Sequence, residues 1–254
     1  WWQGQAYWVA GFHHYVLGQF EDALTMMERA DAVWRALQDP RLDPSWSTGY
    51  FHASLGDWEK GIAECQGGLE RAQDPLNTAA ALGFLGYAWL AKGDLARAIE
   101  ALEDSVGRLR RAGMQQLDGW FSAFLAEALL LGGGPVEESR ELAAQALAAA
   151  ESSGFRYGIG LAQRALGRVA MAAGELPEAG VRLQEALESF REIRAPFEVG
   201  RTLLDLALGA PPGEAARFLG EAYRLFTGLR VQPYVEKTER LADELAVSLV
   251  PVDS

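Results

Sequence analysis

The chain has 254 residues and a formal net charge of −12, with a sequence pI of about 4.8. A surface of that sign does not suit nucleic acid or anionic lipid, both of which are met by basic faces. With 49% hydrophobic and 23% charged residues the chain carries ample material for a core, which excludes an intrinsically disordered polypeptide.

A single cysteine, Cys65, leaves no intrachain disulfide to form and favours a reducing, cytoplasmic setting. No apolar run approaches the roughly 18 uninterrupted residues of a membrane span. The nearest, AEALLLGGG at 126–134, is short and carries Glu127, so a soluble protein is expected.

The chain opens in WWQGQAYWVAGF, already in helical register and without a leading methionine, as expected of a piece of a longer polypeptide. From there one pattern recurs. A small residue at Gly11, Gly49, Gly86, Ala126 and Gly167 is followed seven positions later by Gly18, Gly56, Gly93, Gly133 and Gly174. Five positions further come Ala23, Gly61, Ala98 and Ala179, with Ser139 one place late because LGGGP carries an insertion. Met27, Cys65, Leu102, Ala143 and Leu183 stand four beyond, and Ala30, Gly68, Ser105, Ala146 and Ala186 three beyond those. The spacing i, i+4, i+7 is one helical face. Each unit is therefore predicted as two amphipathic helices joined at turns such as LGQFEDA, LGDWEKG, KGDLARA and AGELPEA.

The second glycine of each unit can take the left-handed conformation that ends a helix. The acidic or amide residue after it suits the positive start of the next helix, and Pro177 falls in a first turn, where its missing N–H costs nothing. Gly86 is different, because it lies inside a helix, where glycine costs about 0.5–1 kcal/mol relative to alanine. A close helix crossing opposite Ala98 is the predicted reason. A sixth unit, FEVGRTLLDLALGAPPGEAARFLGEAYRLF, places Ala207 at the small site but reaches its turn at GAPPG about one helical turn early. PYVEKTERLADELAVSL then reads as a terminal helix covering the last exposed face.

This pattern resembles the tetratricopeptide repeat, most closely in LGFLGYAWLAKGDLARAIEALEDS, at Leu82, Leu85, Gly86, Trp89, Ala98, Leu102 and Ser105. Repeat one keeps Tyr7, Gly11, Ala23 and Ala30, repeat two has Gly61 for the second-helix alanine, and repeat four is the most degenerate. The units run from 37 residues, Gly49 to Gly86, to 41, Ala126 to Gly167, against about 34 in the usual repeat. The lengthening is similar to the C-terminal repeats of bacterial STAND-type ATPases, adenylate-cyclase-like signalling proteins and relatives of the maltose-regulon activator. The resemblance implies an all-α solenoid, a right-handed superhelix of helix hairpins. It places about six hairpins, the sixth degenerate, at 1–230, and a capping helix and tail at 231–254. It also implies a sensor or docking arm, with hydrolysis and output in other parts of the parent protein.

The residues offer no chemistry of their own. There is no phosphate-binding G-x4-G-K-[ST], and LGGGP lacks a lysine and a preceding strand. His13, His14 and His52 have no acidic or cysteine ligand at a diagnostic spacing, and the aromatic packing position of the repeat explains His14 and His52 better than a metal site. Cys65 occupies a buried, leucine-like site and reads as an inert core residue. The glutamates lie beside arginines on solvated helix faces. No catalytic residue, metal or cofactor is assigned.

In this repeat architecture the first helices line an inner groove. Positions three before, one after and four after the small residue point into it. They are Trp8, Phe12 and Tyr15, then Trp46 and Tyr50, then Tyr87 and Leu90. Glu127 and Leu130 follow, with Trp120 a turn earlier, then Arg164, Arg168 and Met171, and finally Arg201. Aromatics followed by arginines on one side of an acidic protein suit a groove for a protein or peptide, in its sharpest form an acidic or phosphorylated one held near Arg164 and Arg168. Internal packing between repeats is the competing account of the same aromatics. The partner expected is a protein or peptide, with no nucleic acid and no membrane. A small-molecule sensor, or homo-oligomerisation through apolar edges such as WWQGQAYW, are the alternatives.

Overall fold

The computed structural model describes residues 1–37 and 45–249. The last five residues of the expected C-terminal cap and tail lie outside the described residues. Among the described residues there are thirteen helices and no strand. They are α1 (Trp2–Val16), α2 (Phe20–Leu37), α3 (Ser45–Ser54), α4 (Trp58–Arg71), α5 (Pro75–Lys92), α6 (Leu95–Ala112), α7 (Gln115–Leu131), α8 (Val136–Ser153), α9 (Arg156–Ala172), α10 (Leu176–Glu192), α11 (Pro196–Gly209), α12 (Pro212–Gly228) and α13 (Gln232–Glu244). Consecutive pairs pack as hairpins, and each hairpin stacks on the next. None of these helices is long and apolar enough to cross a membrane.

Close packing inside each hairpin explains the glycine pattern. A Cβ at Gly86 would stand 2.6 Å from Leu102 Cγ and 3.2 Å from the Ala98 carbonyl oxygen. The second helix thus meets Gly86 with Leu102 as well as with Ala98. The same register recurs where Gly11 faces Met27, Gly49 faces Cys65 and Gly167 faces Leu183. All these partners are buried.

The turn glycine of the third unit, Gly93, has φ of 90°, and its N–H donates to the Leu90 carbonyl. Left-handed backbone of this kind disfavours any side chain, and Gly18, Gly56, Gly133 and Gly174 share it. After the turn the acidic caps differ. Asp57 and Asp94 accept from the N–H groups of Lys60 and Arg97, whereas Glu175 makes no side-chain cap bond.

The irregular units keep the register. In repeat four the extra residue is absorbed between α7 and α8, so that Ser139, Ala143 and Ala146 return to the buried face. In the sixth hairpin Ala207, Ala215, Leu219, Ala222 and Phe226 are buried in the same order as their counterparts in repeat five. Ending α11 at Gly209 removes the missing turn without disturbing the face.

The superhelix curves until its ends meet. The Phe20 and Phe197 rings lie 5.8 Å apart. A Cβ at Gly18 would stand 2.5 Å from Leu229 Cδ2, and one at Gly56 would stand 2.6 Å from Pro233 Cγ. The first two hairpins therefore touch the last hairpin and α13 across the interior.

Candidate functional site

The first helices bring the expected inner aromatics together, and Glu127, Arg164, Arg168 and Arg201 into one charged network beside them. Trp8 on α1 lies 5.9 Å from Trp46 on α3, Phe12 lies 6.0 Å from Trp120 on α7, and Tyr15 lies 5.2 Å from Tyr50. Tyr50 is the hub, 4.9 Å from Tyr87 and 5.7 Å from Trp120. Edge and tilted ring contacts of this kind are each worth about 0.5–1.5 kcal/mol beyond the area they bury. Because the ends of the array meet, these side chains also cover one another. Tyr15, Tyr50, Tyr87 and Trp120 are buried, as are Leu90, Arg164 and Arg201, while Trp8, Phe12, Trp46, Glu127, Leu130, Arg168 and Met171 are half-buried.

Toward α9 and α11 the aromatic interior gives way to charge. Glu198 accepts from the Tyr157 hydroxyl at 3.0 Å and from Arg201 Nη1 at 3.4 Å, and is also paired with Arg164. Arg168 donates from Nε and Nη2 to the two oxygens of Asp205 at 2.9 and 3.0 Å, and pairs with Glu127 through Nη1. Arg201 Nη1 also donates to the Tyr87 hydroxyl at 3.2 Å. A buried charge is costly unless paired, and here each arginine has a carboxylate.

The network fixes the ionisation states. Burial pushes the Glu127 carboxyl up, but Arg168, Arg201 and Arg164 overcome it and hold the group at about 2. Glu198 is lowered by the same contest between burial and its two arginines. The Tyr87 hydroxyl goes the other way, pushed up to about 12 chiefly by burial. Glu127 and Glu198 are therefore charged and the Tyr87 phenol neutral at neutral pH.

Two polar atoms of this surface, the indole nitrogens of Trp46 and Trp120, are buried without a hydrogen-bond partner. An unmatched buried donor costs about 1–3 kcal/mol. Outside the interior, His14 Nδ1 is hydrogen-bonded to Gln19 at 2.6 Å. The Cys65 thiol is fully buried and its pKa is raised by that burial. Among the described residues no group of three or more histidine, cysteine, aspartate or glutamate side chains is placed to hold a metal ion.

Tyr157, Glu198 and Asp205 belong to the site yet fall outside the positions read from the repeat. Tyr157 lies ten residues before Gly167, while Glu198 and Asp205 lie nine and two before Ala207. Following the inner face further toward the helix start would have reached Tyr157 and Glu198, as it did for Trp120, whereas Asp205 falls between the positions read, one turn after Arg201. Tyr234 and Lys237 come from α13, which has no repeat register to read.

No protein-family model matches the sequence, and no curated protein matches it. The fold does have counterparts among solved structures, and they are tetratricopeptide-like repeat proteins. A Rap protein complexed with competence and sporulation factor superposes with a TM-score of 0.72 at 13% identity, covering 91% of this chain and 65% of that one. The apo form of RapI gives 0.58 at 14% identity over 81% of this chain and 77% of that one. A STAND protein with a tetratricopeptide repeat sensor from Pyrococcus horikoshii gives 0.57 at 13% identity, with 98% of this chain matched to 42% of that one. The chain thus spans less than two thirds of the first of these. These likenesses establish the fold, a TPR-like α-solenoid.

Proposed function

We propose that the chain is a non-catalytic interaction module that takes a protein or peptide on its inner surface, as the sensor or docking part of a larger bacterial signalling protein. In this reading residues 1–230 are the array and 231–254 its cap, and the setting is cytoplasmic. The observation that carries it is the aromatic inner surface around Tyr50 and Phe84, on which the indole nitrogens of Trp46 and Trp120 are unmatched. Peptide carbonyls are the acceptors these groups lack. The arginine and carboxylate network of α9 and α11 supplies orienting charge beside them. Solenoids of similar fold support the reading, since one is solved with competence and sporulation factor and another is described as carrying a tetratricopeptide repeat sensor. A peptide would enter by parting the non-covalent contact between the first and last hairpins, so ligand and curvature would be linked.

The test is selection of a displayed random-peptide library on the immobilised chain. Peptides are expected to bind and to weaken on Trp120→Phe, which keeps the ring and removes the donor, and on the double Arg164→Ala, Arg168→Ala variant. Thermal melting checks that each variant is folded. Retention of every selected peptide by folded variants places binding elsewhere.

A second reading, self-association, is favoured by the exposed apolar face of α1, where Trp2 is 80% and Val9 54% accessible. Sedimentation showing a concentration-independent monomer removes it.

A further inference from the structure

A cavity of about 420 Å³ opens between α9, α11 and α13, beside the charged end of the interior. Arg168, Arg201, Lys237 and Arg240 line it together with Asp205 and Glu244. Two of the four cations are already matched, Arg168 by Asp205 and Glu127, Arg201 by Glu198. Lys237 and Arg240 are not. Neither makes an ion pair among the described residues, although both stand one helical turn apart on the face of α13 that carries Tyr234.

The charge count selects the ligand. With Glu127, Glu198 and Arg164 behind the lining, five cations meet four carboxylates, which leaves one positive charge over. This surplus sits in a protein of net charge −12, so it is local to the cavity and the network behind it. A monoanionic group balances it, whereas a phosphate dianion would meet Asp205 and Glu244 uncompensated. Tyr234 and Leu241 offer apolar wall for the carbon skeleton that carries the anion.

We infer that this cavity is a carboxylate-binding site, in which Lys237 and Arg240 hold the anion while Arg168 and Arg201 supply fixed positive potential behind them. The Lys237 ammonium is independently disfavoured, first by desolvation against the cavity wall and then by Arg168 and Arg201, with Asp205 and Glu127 opposing. An incoming carboxylate relieves that repulsion. The site does not depend on the aromatic interior being a binding surface, since its two holding residues lie on α13.

The carboxylate could be that of a free small acid or a side chain of an acidic partner segment. Calorimetric titration of the intact chain with butyrate, with an end-blocked tetrapeptide carrying one glutamate, and with inorganic phosphate separates these. Binding of butyrate identifies a free acid, and binding of the peptide alone identifies a partner segment. In either case Lys237→Met with Arg240→Met should weaken binding by roughly tenfold or more, as expected for loss of charge-assisted hydrogen bonds. Lys237→Arg should restore most of it. Both side chains reach solvent at the mouth of the cavity, and an unchanged melting temperature shows that the variants are folded. Three results overturn the inference: neither carboxylate probe binds, phosphate alone binds, or the double methionine variant binds as well as the parent. None of them bears on peptides selected by the interior, which are scored on different variants.

Discussion

The Tyr50 hydroxyl lies 2.7 Å from the Tyr157 hydroxyl, although 107 positions separate them in the chain. Tyr157 donates to Glu198, so its oxygen accepts from Tyr50, and the two phenols relay from α3 to a buried carboxylate on α11. Tyr50→Phe removes one neutral hydrogen bond and is expected to cost about 0.5–1.5 kcal/mol, while Tyr157→Phe also takes a donor from an ionised group and should cost about 1.5–3 kcal/mol. Urea denaturation measures both. Equal losses would mean that Glu198 does not draw on Tyr157.

Gly86 reports on the hairpin crossing. Its missing Cβ would press on Leu102 and on the Ala98 carbonyl. Gly86→Ala is expected to destabilise by about 1–3 kcal/mol despite alanine's better helix propensity. Gly86→Leu should lower the melting temperature much further. A neutral or stabilising alanine would show that the helices can separate cheaply.

Two inter-hairpin turns carry arginine where others carry glycine. Arg194 and Arg230 have φ of 56° and 58°, against 70° and 64° at Gly113 and Gly154. Relief of left-handed strain exceeds the extra chain entropy of glycine. Arg194→Gly and Arg230→Gly should each raise stability by about 0.5 kcal/mol. Thermal unfolding with an unchanged or lower midpoint would contradict this.

Acid should weaken the interior in a defined window. Glu127 is held at about 2, below its usual 4.5, so the folded state binds this proton less readily than the unfolded chain. The stabilisation is complete above the unfolded value and is lost as pH falls from about 4.5 toward 2. Glu127→Gln should flatten the acid limb of a stability–pH curve while lowering stability at neutral pH. A variant whose acid limb matches the parent's would show that Glu127 is not the group that titrates.

The hairpin repeat is legible in the sequence because the requirement is local and repeated. Each small residue must face its own second helix, and each turn glycine must end its own first helix, as at Gly86 and Gly93. The inner face is legible as a direction, which is why Tyr50, Tyr87 and Arg164 come together. What they meet there is not. The pairing of Arg164 with Glu198, or of Arg168 with Asp205, depends on curvature summed over the whole array and on the neighbouring repeat. Capping shows the same limit on a smaller scale, since Asp57 caps its helix and Glu175 in the matching place does not.

Pro233 against Gly56, and Leu229 against Gly18, alter how the array should respond to trimming. In an open solenoid each unit leans only on its neighbours, and loss of an end unit frays that end alone. Here deletion of α13 strips a wall from the turn of the second hairpin, far away in the chain. Truncation at the C-terminus should therefore loosen the N-terminal hairpins too, and hydrogen exchange would show the two ends losing protection together.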